Sequence, residues 1–190
     1  MDINDINIDL KPGDIIFISI PNFLYQQVEK GTGSRASHVG ILFKDDHSNW
    51  VVAESRVPLS KYTPLSDYLR RTKDNWCCIR RPKMELLSED VDALKEACNN
   101  RLGILYHLGF RYDSNRQFCS KFVYDAYKEA IGIEVGELDT MRNLFVKRPD
   151  TPLMFWRLWY FGFIPWGRRT VTPASQMESE ALKTIYTTTL

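Results

Sequence analysis

The sequence predicts an α+β domain, because strand-like runs of β-branched and aromatic residues fill its first part and two amphipathic helices follow them. No repeat, low-complexity tract or linker divides the 190 residues, so one domain spanning 1–190 is expected. Leu10-Lys11-Pro12-Gly13-Asp14 reads as a turn that delivers the chain into a buried strand over 15–20. Residues 22–30 suit a short helix, with Gly31 as its stop. Residues 37–43 and 50–55 are strand-like and are joined by the polar stretch Lys44 to Asn49, which predicts an antiparallel hairpin. Thr63-Pro64 offers an N-cap followed by proline at the first helical position, opening a short helix to about Arg70. A further strand over 76–81 is closed by Pro82.

The two longer helices carry clearer signals. Ser88-Glu89-Asp90 places a capping side chain and two acids where they complement exposed N–H groups, and Val91, Leu94, Cys98 and Leu102 then recur at helical spacing. After a loop over 103–117, a second helix runs from Cys119 to about Ile131. Phe122, Val123, Ala126, Tyr127, Ala130 and Ile131 form its apolar stripe, and Gly132 is its stop.

Composition narrows the function classes. With 25 Lys and Arg against 24 Asp and Glu, the formal charge is +1, so no broad field favours nucleic acid or an anionic surface. The N-terminus lacks a basic segment followed by an apolar one, and no apolar run reaches the length of about 18 residues expected of a spanning helix. A cytoplasmic location with reduced thiols is therefore expected. Cysteine and histidine spacing matches no zinc site, and neither GxxxxGK[ST] nor GxGxxG is present, so no metal and no cofactor are expected.

Four cysteines and three histidines allow twelve thiol–imidazole pairs. Cys119 stands out because a helix N-terminus lowers a cysteine pKa and offers free N–H groups to an oxyanion. Cys98 belongs to an apolar helix face, and Cys77 and Cys78 lie in a strand with no local cause to ionise. His38 begins an apolar strand after the flexible-looking stretch 31–37, which could border a pocket. His47 falls in the hairpin turn, whereas His107 follows Tyr106 in the loop before Cys119 and stays open on position alone. Glu54 is an acid in a largely apolar strand, where orienting an imidazole and facing an edge are equally available roles.

In order, Leu10 to Phe17, Ser37-His38-Val39-Gly40-Ile41, Val51-Val52-Ala53-Glu54-Ser55, Gly103-Ile104-Leu105-Tyr106 and Phe118-Cys119-Ser120-Lys121-Phe122-Val123-Tyr124 resemble motifs of the NlpC-type papain-like superfamily. The histidine segment precedes the cysteine segment here, the reverse of the ordinary order. The chain therefore resembles the circularly permuted branch that includes YiiX/YebB-like proteins and, more distantly, the lecithin retinol acyltransferase group. The phrase Val171-Thr172-Pro173-Ala174-Ser175 resembles the ending of YiiX/YebB-like chains. The resemblance implies a permuted papain-like fold, with an antiparallel sheet or small barrel packed on helices. It also implies a Cys–His–polar triad on Cys119, His38 and Glu54, with Tyr106 and Ser120 at an oxyanion or substrate site. Lys121 departs from the acidic residue that often follows Cys-Ser in permuted relatives.

The expected activity is cysteine-dependent hydrolysis of an amide or ester through an acyl-cysteine. A small-molecule, lipid or peptide substrate fits that chemistry; an acyltransferase or a non-catalytic binding module on the same fold is the alternative. Residues 133–170 read as a variable aromatic-rich insertion. Within it, the aromatics of 153–166 suit a core or lid helix, an acyl site or a peripheral membrane contact. The sequence does not choose an oligomeric state.

Overall fold

The computed structural model describes residues 8–188. In chain order its elements are β1 (Ile15–Ile18), α1 (Phe23–Thr32), β2 (His38–Lys44), β3 (Trp50–Ser55), β4 (Ser60–Pro64), α2 (Leu65–Leu69) and β5 (Cys77–Pro82). They continue as α3 (Ser88–Asn99), α4 (Cys119–Ile131), β6 (Asp139–Thr140), α5 (Met141–Lys147), α6 (Leu153–Trp159), β7 (Arg169–Thr170), α7 (Pro173–Met177) and β8 (Leu182–Thr187). Six of the strands form one sheet in the order β4-β3-β2-β1-β5-β8, with every pairing antiparallel. This is the expected α+β architecture in its sheet form, with β4 and β8 at the edges.

Period-two alternation divides the core between the two faces of that sheet. Ile15, Phe17, Val39, Ile41 and Cys78 pack with Leu94, Cys98, Phe122 and Ala126 of α3 and α4. Ile16, Ile18, Leu42, Val52 and Cys77 pack with Leu65, Tyr68 and Leu69 of α2. The adjacent cysteines therefore enter different cores, and all four cysteines are free and buried. The turn ahead of β1 is tied into both layers. Gly13 takes a left-handed conformation (φ +89°), and its carbonyl accepts a hydrogen bond from the Tyr127 hydroxyl of α4. The Asp14 carboxylate accepts from the Lys11 N–H at 2.8 Å and pairs with Arg81 at 2.7 Å.

The structure reproduces α4 with its Gly132 cap in left-handed geometry (φ +70°). Other local readings are corrected. Helix α1 runs through Gly31 to Thr32, and Gly33 (φ +66°) is the cap, because it is the residue that must take the left-handed turn. Thr63 lies in β4, and its hydroxyl is used by Glu54 on the neighbouring strand, so it caps no helix. Ser88 is already helical. The first turn of α3 is closed by the Asp90 carboxylate, which accepts from the Leu87 N–H at 2.9 Å. The edge strands β4 and β8 were not foreseen.

Candidate active site

Cys119 is the first residue of α4, and the N-cap position before it is occupied by Phe118, which offers no capping oxygen. The N–H groups of the first turn are thus not consumed by a cap, and the Ser120 N–H is directed at the Cys119 sulfur. Cys119 is buried to 3% exposure, yet it lines a cavity. The Tyr106 hydroxyl lies 4.0 Å from its sulfur. Tyr106 is held there because its N–H bonds the Pro58 carbonyl at 2.8 Å and the 103–117 loop closes on itself, the Gln117 N–H bonding the Leu105 carbonyl at 3.1 Å.

His38 opens β2 and is completely buried. Its Nε2 sits 2.5 Å from Glu54 Oε2, which leaves Nδ1 as the ring nitrogen with no formal hydrogen bond. After burial, Cys119 is the group that acts most strongly on this imidazole. Close strand packing makes the pairing with Glu54 feasible. A Cβ on Gly40 would meet Val52 Cγ1 at 2.4 Å and the Ala53 carbonyl at 3.0 Å, so only glycine lets β3 approach here.

Glu54 is the most heavily bound carboxylate of the site. Arg71 Nη2 reaches both of its oxygens, at 2.7 and 2.8 Å, and the Thr63 hydroxyl donates to Oε1 at 2.6 Å. Arg71 also lies over the Tyr68 ring, 4.8 Å from its centroid, and Tyr68 in turn sits 5.7 Å from His38. These contacts satisfy a carboxylate that burial would otherwise neutralise.

The electrostatics follow from this arrangement. Burial opposes ionisation of Glu54, but His38 and then Arg71 outweigh it and hold the carboxyl at about 2. Burial likewise opposes the imidazolium, and the Cys119 thiolate followed by Glu54 reverses that, so the His38 pKa lies above the ordinary histidine value. For Cys119 burial would raise the pKa. The His38 charge and hydrogen bond, with smaller help from Tyr106 and the Ser120 N–H, bring it below the ordinary thiol value instead. The other thiols move the opposite way through burial: Cys77 is pushed up to about 11, Cys98 to about 12, and Cys78 also upward.

The predicted residues thus come together in different ways. Cys119, His38, Glu54 and Tyr106 share one locus. The Ser120 hydroxyl is spent on the Val171 carbonyl at 2.8 Å, so its approach to the sulfur is through the main chain. Lys121 turns to the Ser114 and Arg116 carbonyls. His107 accepts the Gly109 N–H within its own turn, at 2.9 Å. His47 stays in the hairpin turn, where its N–H bonds Asp45.

Sequence reasoning missed Arg71, Thr63 and Tyr25. Tyr25, on α1, stands edge-on to His38 with centroids 6.0 Å apart, and its hydroxyl interacts with that of Tyr106. Its helical aromatic position was the available signal. Arg71 sits in the basic run Arg70-Arg71-Thr72-Lys73, where it resembles a solvated charge.

The cavity that Cys119 lines has about 550 Å³ of unfilled space, its mouth included. Apart from the site residues its walls are chiefly apolar, with Val28, Phe110, Met141, Phe145 and Trp156 among them. Phe110 and Trp156 meet edge to face at 6.3 Å. Two of these residues come from α5 and one from α6, so the aromatic-rich segment helps to build the cavity.

The chain is 27% identical over 173 residues to "Uncharacterized protein YiiX" of Escherichia coli K12, covering 91% of this chain and 84% of that one. Its fold matches a crystal structure from Escherichia coli O157:H7 titled "metalloprotein yiiX" with a TM-score of 0.86 and 26% identity, over 94% of this chain and 97% of that one. Among the described residues here, no group of three or more His, Cys, Asp or Glu side chains is arranged to hold a metal ion. Glu54, the carboxylate beside the imidazole, is already bound by Arg71 and Thr63. Residues 9–186 match the family described as "Permuted papain-like amidase enzyme, YaeF/YiiX, C92 family". With the match running from the turn before β1 into β8, the chain belongs to this permuted papain-like amidase family.

Proposed function

We propose that the protein is a cysteine amidase or esterase that takes an apolar acyl group into the cavity beside Cys119. The observation that carries the proposal is the placement of a thiol at an uncapped helix N-terminus, coupled to a buried imidazole whose far nitrogen is fixed by Glu54. The Cys119 thiolate attacks the acyl carbonyl. Ser120 N–H and the Tyr106 hydroxyl are the donors nearest the sulfur and stabilise the oxyanion.

Collapse of the tetrahedral intermediate breaks the bond from carbon to the leaving nitrogen or oxygen, and His38 supplies the proton that the leaving group takes. Water then adds to the thioester and gives up a proton to His38. The carboxylic acid and the free thiol follow. Glu54 keeps the imidazole oriented and its positive charge balanced throughout, while Arg71 and Thr63 keep Glu54 in place. The apolar walls favour an acyl chain over a charged peptide segment.

Acyl amides and acyl esters of graded chain length provide the test, with rapid quenching and mass spectrometry of the intact protein. A transient acyl adduct on Cys119, discharged by hydroxylamine and absent from Cys119→Ala, is expected. Turnover by Cys119→Ala at the wild-type rate contradicts the proposal.

A further inference from the structure

Helix α6 and the turn after it present two different surfaces. Trp156 points inward, 4% exposed, and lines the cavity. Leu158, Phe161 and Phe163 are 74%, 96% and 86% exposed. The two phenylalanines flank Gly162 in a turn where Phe161 (φ +53°) and Gly162 (φ +100°) are both left-handed. This turn is not a loose end. Trp159 Nε1 bonds the Leu108 carbonyl at 3.0 Å, and the Tyr160 hydroxyl and Arg168 Nη1 bond the Gly109 carbonyl at 3.2 and 2.7 Å. Leu108, 44% exposed, lines the same shallow groove as Leu158, Phe161 and Phe163, so these residues form one patch. Side chains that stand this far into solvent on an anchored turn are costly unless another apolar phase receives them.

Charge indicates which phase. The whole chain carries a formal charge of +1, but residues 141–169 contain six basic side chains and one acid, Asp150. Lys147 and Arg169 are paired with carboxylates. Among the described residues Arg142, Arg148, Arg157 and Arg168 have no ion-pair partner. Arg148 packs against Gly33, Arg168 lines the groove of the patch, and Arg157 belongs to the same helix as Leu158. Projecting phenylalanines with Arg168 in their groove and Arg157 on the adjoining helix match an anionic bilayer, whose acyl region deforms around the rings while its headgroups meet the basic side chains. A folded protein partner would need a pocket for each ring.

We infer that Leu158, Phe161 and Phe163, with Arg157, dock the protein on the surface of an anionic lipid bilayer. Trp156, a cavity-wall residue on the same helix as Leu158, then ties the docking surface to the cavity. Docking is independent of the chemistry proposed above, since neither Cys119 nor His38 takes part in it.

The test is co-sedimentation with phosphatidylcholine vesicles prepared with and without phosphatidylglycerol. Wild-type protein and Cys119→Ala are expected to bind the phosphatidylglycerol vesicles alike, and to be released by salt. The double variant Phe161→Ser/Phe163→Ser is expected to lose more than about tenfold in binding, and Arg157→Glu several-fold, with unchanged far-UV circular dichroism. Absence of wild-type binding, equal binding to phosphatidylcholine alone, or undiminished binding by the double variant overturns the inference. A wild-type dimer in gel filtration that the double variant abolishes would also overturn it, by assigning the patch to a second copy of the chain. Loss of acyl transfer in Cys119→Ala with retained vesicle binding separates the two proposals.

Discussion

Glu54 shows how much a single buried carboxylate requires. It has no exposure, yet it is ionised because His38, Arg71 and Thr63 together supply donors and positive charge. Its folded pKa of about 2 lies below the ordinary 4.5. A depressed carboxylate contributes stability that is fully present above its unfolded value and is lost as pH falls through its folded value. Urea unfolding should therefore show stability falling between pH 4.5 and about 2, with a shallower fall in Glu54→Gln. Arg71→Met removes one of the compensating charges and is expected to cost up to about 3 kcal/mol at neutral pH. It should also start the acid loss at higher pH, because the Glu54 pKa rises without the guanidinium. An Arg71→Met protein with wild-type stability and an unshifted acid limb would show that Arg71 does not support Glu54. Glu54 was legible in the sequence as an acid in an apolar strand, whereas Arg71 was not, because nothing local distinguishes it from its exposed neighbour Arg70.

Glycines separate what is readable in an element from what is not. Gly31 looked like a helix stop, but it lies inside α1 facing Trp156 Nε1, where a Cβ would stand 3.5 Å away in ordinary contact. Gly31→Ala should consequently stabilise the protein by up to about 0.5–1 kcal/mol, the upper figure being that for a helix interior, since Gly31 lies in the last turn of α1. Gly40→Ala should do the opposite. Its methyl would collide with Val52 and the Ala53 backbone, costing about 1–3 kcal/mol and disturbing the spacing of His38 and Glu54. Thermal denaturation of the two variants checks both signs, and a stabilised Gly40→Ala would contradict the account of the β2–β3 contact.

Helix α4 was readable throughout because its stripe and its stop are local signals. The role of Thr63 was not, since a threonine before proline has a local use as a cap and its actual partner is on another strand. The edge strand β8 carries little apolar alternation, with only Leu182 fully buried, and its pairing with β5 depends on the sheet already being present.

At the scale of the molecule, the sheet does what the linear order obscures. It holds the histidine strand β2 near its centre and sets α4 against that strand, so residues far apart in sequence form one site. The ordered motifs indicated the permuted fold and pointed to one thiol–imidazole pair of twelve as the candidate site. They could not reveal the cavity, whose walls come from α1, the 103–117 loop, α5 and α6 and exist only after packing. The aromatic segment 153–166 is divided by that packing: Trp156 and Ile164 are buried, while Phe161 and Phe163 face solvent.

The central claim is that His38 activates Cys119, and the pH profile of iodoacetamide alkylation, followed thiol by thiol by peptide mass spectrometry, tests it most directly. In the wild type Cys119 should react at pH values below the ordinary thiol value of 9.0, ahead of Cys77 and Cys98, whose values are pushed up to about 11 and about 12. His38→Ala should move the Cys119 profile upward toward an ordinary or raised thiol, leaving the other three unchanged. Alkylation of Cys119 in step with the other thiols, or a Cys119 profile that His38→Ala leaves in place, would contradict the account.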